Sequence, residues 1–379
     1  MDFAAYDNSE AISKKLESLF SDIGRPLCYT SRCLFIYGPF QAPKSSWQKF
    51  QRTVQIGWTI LLSLFVVGVA AISVCKMPPV YYCVYLIGCI DFFFLLYWNK
   101  SERVSEYSKR LKKSSIGVGT LKNAKQVLLK RNVSLAIGGL CSMMVFGILA
   151  ADMVGVVHLL PKKSISLPWC CLYLTSLFLV LLCVPAANST AFCYIESATA
   201  EFEIIDRDFG HDGNKHQLPV ARHYIRGHGQ LLKLFAAVRG PLSAWCSAHI
   251  SLNFIAIYKI FHFLYGYDFG TLHVFKFWKP ALLSFLLVLT LVQSICIFYS
   301  AIMLRKWIVG IRDAMMKVAT SERIPHEQVF PLFSLHSLDL HHQPYGLSFF
   351  GLTVINRHFV IACVLIAGLG ALYCYQQYN

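Results

Sequence analysis

Nine side chains carrying hydroxyl, charged or aromatic groups interrupt otherwise apolar runs: Tyr82, Tyr85, Asp152, Trp169, Tyr173, Tyr258, Lys259, His262 and Trp278. Ionisable groups are costly in hydrocarbon, so each one inside such a run is a candidate for function. A ring of aromatics with a few polar groups suits a small organic ligand, because apolar burial gives affinity and a hydrogen bond or one charge gives orientation. A second reading stays open for each. Aromatics near the ends of apolar runs also form interfacial belts, Asp152 and Lys259 can pair with each other, and Lys259 can snorkel. Asp91, beside Phe92 to Phe94, serves equally well as a structural hydrogen-bonding group.

A different set closes the chain. The run HFVIACVLIAGLGALYCYQQY has small residues at Ala362, Ala367, Gly368, Gly370 and Ala371, which permit close helix approach, and then turns polar at Gln376 and Gln377. If several copies met around an axis, Gly370, Cys374, Gln376 and Gln377 would line a narrow path with neutral amides at its mouth, and the apolar stretch could gate by dewetting. Taken alone, the same run reads as an ordinary packed helix with a wet end.

Other chemistry is excluded by spacing. His211, His216, His223 and His228 match no zinc pattern, and no cysteine or carboxylate cluster stands in register with them. Adjacent His341 and His342 point apart on a helix. The sequence has no Gly-rich phosphate loop and no nucleophile motif, so we expect no enzymatic activity, no metal and no cofactor. Of the fourteen cysteines most fall inside apolar runs, where they pack as small residues and form no disulfide framework.

The elements that must position these residues are set by composition. Of 379 residues 56% are hydrophobic, with a mean hydropathy of +0.51, too apolar to cover a soluble globule of this size. Runs of about 20 apolar residues cross a bilayer as helices, and seven are present: Val54 to Cys75, Pro79 to Trp98, Val133 to Val157, Trp169 to Tyr194, Leu242 to Tyr265, Trp278 to Leu304 and His358 to Tyr375. The expected fold is all-α and polytopic, with seven transmembrane helices. Residues 1–53 form an amino-terminal segment without a secretory signal, residues 54–304 a six-helix ligand-binding bundle, residues 305–357 a linker with an interfacial helix, and residues 358–379 the last, pore-lining crossing. The segment from 195 to 241 has helical spacing at both ends around a turn at HDGNKHQLP, which extends the fourth and fifth helices beyond the bilayer as a stalk.

Basic residues set the orientation. Twenty-nine of the 35 Lys and Arg residues fall on the side of the amino terminus, ten of them between 99 and 132, whereas the other side holds five. Basic loops face the cytosol. The amino terminus is therefore expected inside, and seven crossings put the carboxyl terminus outside. The net charge of +15 needs no nucleic acid, because clusters such as Lys109, Arg110, Lys112 and Lys113 lie where anionic membrane lipid would be.

This plan resembles the invertebrate gustatory receptor superfamily of insect taste receptors and their nematode relatives. GRPLCYTSRCLFIYGPF resembles the family's opening segment, HYIRGHGQLLKLFAAVRGPLSAW its approach to the fifth span, and SFFGLTVINRHFV its approach to the last span. The family signature there is Thr-Tyr, five hydrophobic residues, then Gln-Phe. Here Gly370 and Ala371 replace Thr-Tyr, and Gln377 and Tyr378 stand at the Gln-Phe positions, as in a divergent member. The resemblance implies a ligand-gated cation channel in the plasma membrane: a homo- or heterotetramer whose last helices line one pore, opened by a small-molecule tastant in an outward-facing pocket. The alternative is a seven-transmembrane serpentine chemoreceptor that signals through a G protein, which an amino terminus inside disfavours.

Overall fold

A computed structural model describes residues 3–35, 46–76, 79–100, 107, 118–159, 167–212, 217–265, 274–319, 329–342 and 345–378. The elements are α1 (Phe3–Cys33), α2 (Ser46–Lys76), α3 (Pro79–Lys100), α4 (Val118–Lys122), α5 (Ala124–Leu159), α6 (Leu167–Leu181), α7 (Cys183–His211), α8 (Leu218–Tyr265), α9 (Val274–Ala319), α10 (Val329–His342), strands β1 (Ser348–Phe349) and β2 (Thr353–Val354), and α11 (Arg357–Tyr378).

Five stretches are long and apolar enough to cross a membrane: Ser46–Cys75, Tyr81–Asn99, Ala124–Ala151, Leu167–His211 and Leu283–Val318. The fold is thus that of a multi-pass membrane protein. Two of the seven expected crossings differ. In α11 the apolar stretch is shorter, Arg357–Tyr373. The run from Leu242 to Tyr265 is diluted by Ser243, Ser247, His249, Asn253 and Lys259. Of these Ser247, His249 and Asn253 are fully buried, so the run satisfies its polar groups against neighbouring helices rather than against lipid.

Helix α8 has 48 residues and α9 has 46, about 70 Å each at 1.5 Å per residue, more than twice the thickness of a hydrocarbon core. The helical spacing expected at both ends of the segment from 195 to 241 is present in α7, which runs to His211, and in α8, which begins at Leu218. The turn expected at HDGNKHQLP lies at the break between α7 and α8, and residues 213–216 of it lie outside the described residues. In α1 the buried side chains Leu16, Leu19, Phe20, Ile23 and Leu27 recur at three and four residues and form one apolar stripe against α7.

Helix α7 is the hub. It packs on α1, α3, α4, α5, α8 and α9, and its buried faces are rich in small residues: Ala186, Ala187, Ser189, Ala191, Ser197, Ala198 and Ala200. Small side chains let backbones approach in a medium where apolar burial gives no advantage over lipid. Gly119 of α4 shows how close that approach is, because a Cβ there would meet the Ala200 carbonyl group.

Residues 345–356, in the segment expected to hold a linker and an interfacial helix, form a β-hairpin. The strands pair Ser348 with Val354 and Phe349 with Thr353, and of the three loop residues Phe350 and Gly351 take positive φ of 49° and 75°. Two consecutive left-handed residues match the strand twist of a tight hairpin. Asn356 then caps α11, its Oδ1 accepting the Phe359 amide at 2.8 Å.

Candidate ligand cavity and its polar end

A cavity of about 560 Å³ lies between α3, α5, the α6–α7 junction and α9. Helical spacing builds its walls: Asn188, Phe192, Glu196 and Thr199 share one face of α7, while Leu286, Leu289, Gln293, Cys296, Ser300 and Met303 share one face of α9. The α5 wall is mostly aliphatic, through Leu129, Val133, Ile137 and Val145, with Ser134 and Ser142 interspersed. At one end Lys130 Nζ and Glu196 form an ion pair at 2.5 Å.

The amides Asn188 and Gln293 make a second polar point. Gln293 Nε2 donates to Asn188 Oδ1 at 3.3 Å and to His249 Nδ1 at 3.0 Å, and Gln293 Oε1 accepts from Asn253 Nδ2 at 3.4 Å. Gln293 is therefore committed to protein partners, whereas the Asn188 amide NH₂ is left to donate into the cavity. Such a wall favours an uncharged small molecule with an apolar body and one hydrogen-bond acceptor.

The sequence-predicted pocket residues fall in two groups elsewhere. On α3 and α6, Tyr85 and Tyr173 are buried with ring centroids 5.5 Å apart. Tyr85 Oη donates to the Val66 carbonyl at 2.9 Å and lies 2.5 Å from Ser176 Oγ, and Tyr173 Oη donates to the Tyr81 carbonyl at 3.1 Å. Trp169 is buried on the same helix as Tyr173, and Tyr82 is half-buried. On α8, Lys259 Nζ stands 5.7 Å from the Tyr258 ring centroid, and Tyr258 and His262 are 6.3 Å apart. Tyr258 also faces α11, where a Cβ on Gly370 would lie 3.7 Å from its ring. None of these seven lines the cavity. Asp152 and Trp278 lie on α5 and α9, with side chains outside the described residues. Of the pore candidates, Gly370 is half-buried and Gln376 exposed, while the Cys374 and Gln377 side chains lie outside the described residues.

Sequence reasoning missed Asn188 and Gln293. Both are uncharged amides in apolar runs, and a search for ionisable groups passes over them. Asp91, read as a hydrogen-bonding group, has that role: its Oδ1 accepts from Trp245 Nε1 at 2.8 Å and His249 Nε2 at 2.9 Å. Of the histidines, His228 is fully buried between helices. Its Nε2 donates to the Ile308 carbonyl at 3.1 Å, and its Nδ1 faces His336 Nε2 at 3.1 Å. Burial, with His336 adding to it, pushes the His228 pKa down to about 3, so the ring is neutral at physiological pH.

Over almost its whole length the chain has the fold of a solved insect olfactory receptor. The solved structure of the insect olfactory receptor OR5 from Machilis hrabei in complex with eugenol aligns with a TM-score of 0.66 at 10% identity, covering 96% of this chain and 99% of that one. A second structure of the same receptor aligns with a TM-score of 0.62 at 11% identity, covering 97% and 99%. At that identity the likeness is one of fold. No protein-family profile and no curated protein matches in sequence.

Proposed function

We propose that this chain is a divergent member of the insect gustatory and olfactory receptor superfamily and a subunit of a ligand-gated cation channel, opened by a small uncharged organic molecule. The observation that carries the reading is the cavity. Its volume lies within the range of about 300–1,000 Å³ usual for small-molecule sites, its walls are apolar, and it offers the Asn188 amide to orient a ligand. A fold shared with a receptor solved in complex with eugenol supports this. Ligand binding would shift a closed-to-open equilibrium by its differential affinity for the two states.

The last helix supports the channel part. In α11 Ile361, Val364, Leu365, Leu369 and Leu372 are each more than half exposed, and its main packing partner is α8. That surface suits assembly with other copies around a pore, as the resemblance implies for a homo- or heterotetramer. In this reading the chain sits in the plasma membrane with seven crossings and its amino terminus inside, α8 and α11 supplying the fifth and seventh. Tyr258, Lys259 and His262, beside Gly370, shape the approach to the pore mouth, and Gln376 and Gln377 line it. Tyr82, Tyr85, Trp169 and Tyr173, with Asp152 and Trp278, frame the outward end of the bundle. The taste-type assignment belongs to the same proposal.

The test is whole-cell recording from cells expressing this chain, with a panel of eugenol, sugars and bitter compounds. A cation current to at least one compound, weakened by Asn188→Leu, is expected. Silence across the panel in cells that display the protein at their surface would overturn the reading.

A further inference from the structure

The amide end of the cavity is joined by buried and part-buried hydrogen bonds to the hairpin that leads into the last helix. The link is a single stretch of α8 with two working faces. Trp245, His249 and Asn253, spaced by four, fall on one face, and Ser243 and Ser247, also four apart, fall on another. The first face holds Asp91 through Trp245 and His249 and meets the cavity through the bond from Gln293 to His249 Nδ1. The second grips the hairpin. Ser243 Oγ accepts the Ser348 amide at 3.0 Å, and Ser247 Oγ accepts the Phe350 amide at 2.8 Å and lies within bonding distance of the Ser348 carbonyl at 3.1 Å. These contacts and the intervening turn of α8 lead from a ligand at Asn188 to the hairpin preceding α11.

We infer that Gln293, His249 and Asp91 are the positioning residues through which an occupied cavity acts on the last helix, by turning this stretch of α8 and the hairpin fastened to it. The inference deepens the proposed function and rests on its reading of the cavity. Two observations carry it. First, Asp91, His249 and Ser247 are fully buried and Trp245 nearly so, and in such surroundings a broken bond is not replaced by water, so its loss is felt by the next member of the chain. Second, Asp91 Oδ2 and Asn253 Oδ1 are buried without a hydrogen-bond partner. Spare acceptors give the donors Trp245, His249 and Gln293 a second satisfied arrangement, which a two-state element requires.

The test is hydrogen–deuterium exchange on the purified full chain in lipid nanodiscs, read on peptides covering 347–355 and, as a control, the buried stripe of α1. Gln293→Leu keeps the side chain's bulk and removes its bonds. It should speed exchange of the hairpin by roughly three-fold or more and leave α1 unchanged, in the manner of a local opening. Ser247→Ala should do the same. Combined, the two should give less than the product of their separate effects, because both cut one chain. Asp91→Asn, which keeps acceptors for Trp245 and His249, serves as a milder second variant if Gln293→Leu does not fold, and it should also speed the hairpin. Exchange of the hairpin at the wild-type rate in Gln293→Leu or in Ser247→Ala, or a rise shared equally by α1, overturns the inference. The readout needs neither ligand nor current, so a protein that fails to conduct counts against the proposed function and leaves this result standing.

Discussion

Asn188 lines the cavity with its carbonyl oxygen taken by Gln293, which leaves its amide NH₂ as the group able to donate to a ligand. A single hydrogen bond contributes about 0.5–1.5 kcal/mol, so Asn188→Leu should raise the half-maximal concentration of an acceptor-bearing agonist by roughly two- to twelve-fold without abolishing the maximal current. Concentration–response curves check this, and a lost maximum with unchanged sensitivity would place Asn188 outside the site. The His228 prediction is one of pH. Its pKa in the fold is about 3 against an ordinary 6.5, so the native state excludes the charged ring. The unfolded state takes up the proton first, and stability falls as pH drops below 6.5, by about 1.4 kcal/mol per unit toward pH 3. Between pH 7.5 and 5 the thermal midpoint should therefore fall further in the wild type than in His228→Gln. Of these residues the sequence exposes Asp91, because a carboxylate in an apolar run is conspicuous. It hides Asn188 and Gln293, because uncharged amides occur as readily in packed helices as in sites. It also suggests ligand contact for Tyr85 and Tyr173, whose hydroxyls hold neighbouring carbonyls in the fold.

At the scale of elements, apolar length and charge are read directly. The stretches Ser46–Cys75, Tyr81–Asn99 and Ala124–Ala151 appear as helices where such runs predict them, since a segment in lipid must satisfy its own backbone and helix is the local way to do so. The hairpin at 345–356 is not legible, because a left-handed Phe350 is held by the bonds of Ser348 and Phe350 to α8 rather than by local propensity. The stripe of α1 is helical in spacing, yet its docking on α7 depends on a partner far along the chain. Close approach makes its own prediction at Gly119, where even a methyl group would stand 2.4 Å from the Ala200 oxygen. Gly119→Val should therefore displace α4, cutting the bond from the Thr120 amide to Glu201 at 2.6 Å. The check is the fraction of monodisperse protein after extraction, expected to fall several-fold relative to Gly139→Ala, whose added carbon meets nothing within 4 Å.

For the whole molecule, the lopsided distribution of basic residues and the exposed face of α11 point the same way. A tag before Met1 should be labelled only after permeabilisation, and the extracted protein should run near four copies of its 42.9 kDa chain. Charge asymmetry lets a sequence state an expected orientation, whereas an expected assembly has to be argued from surfaces that only the folded chain brings together. The central claim is that ligand and pore reside in the same protein, and recording from excised outside-out patches in nucleotide-free solution tests it most directly. An agonist found in whole cells is expected still to open a cation current in the patch, within milliseconds and without GTP. Loss of the response on excision, with its recovery on adding GTP and a G protein, would contradict it.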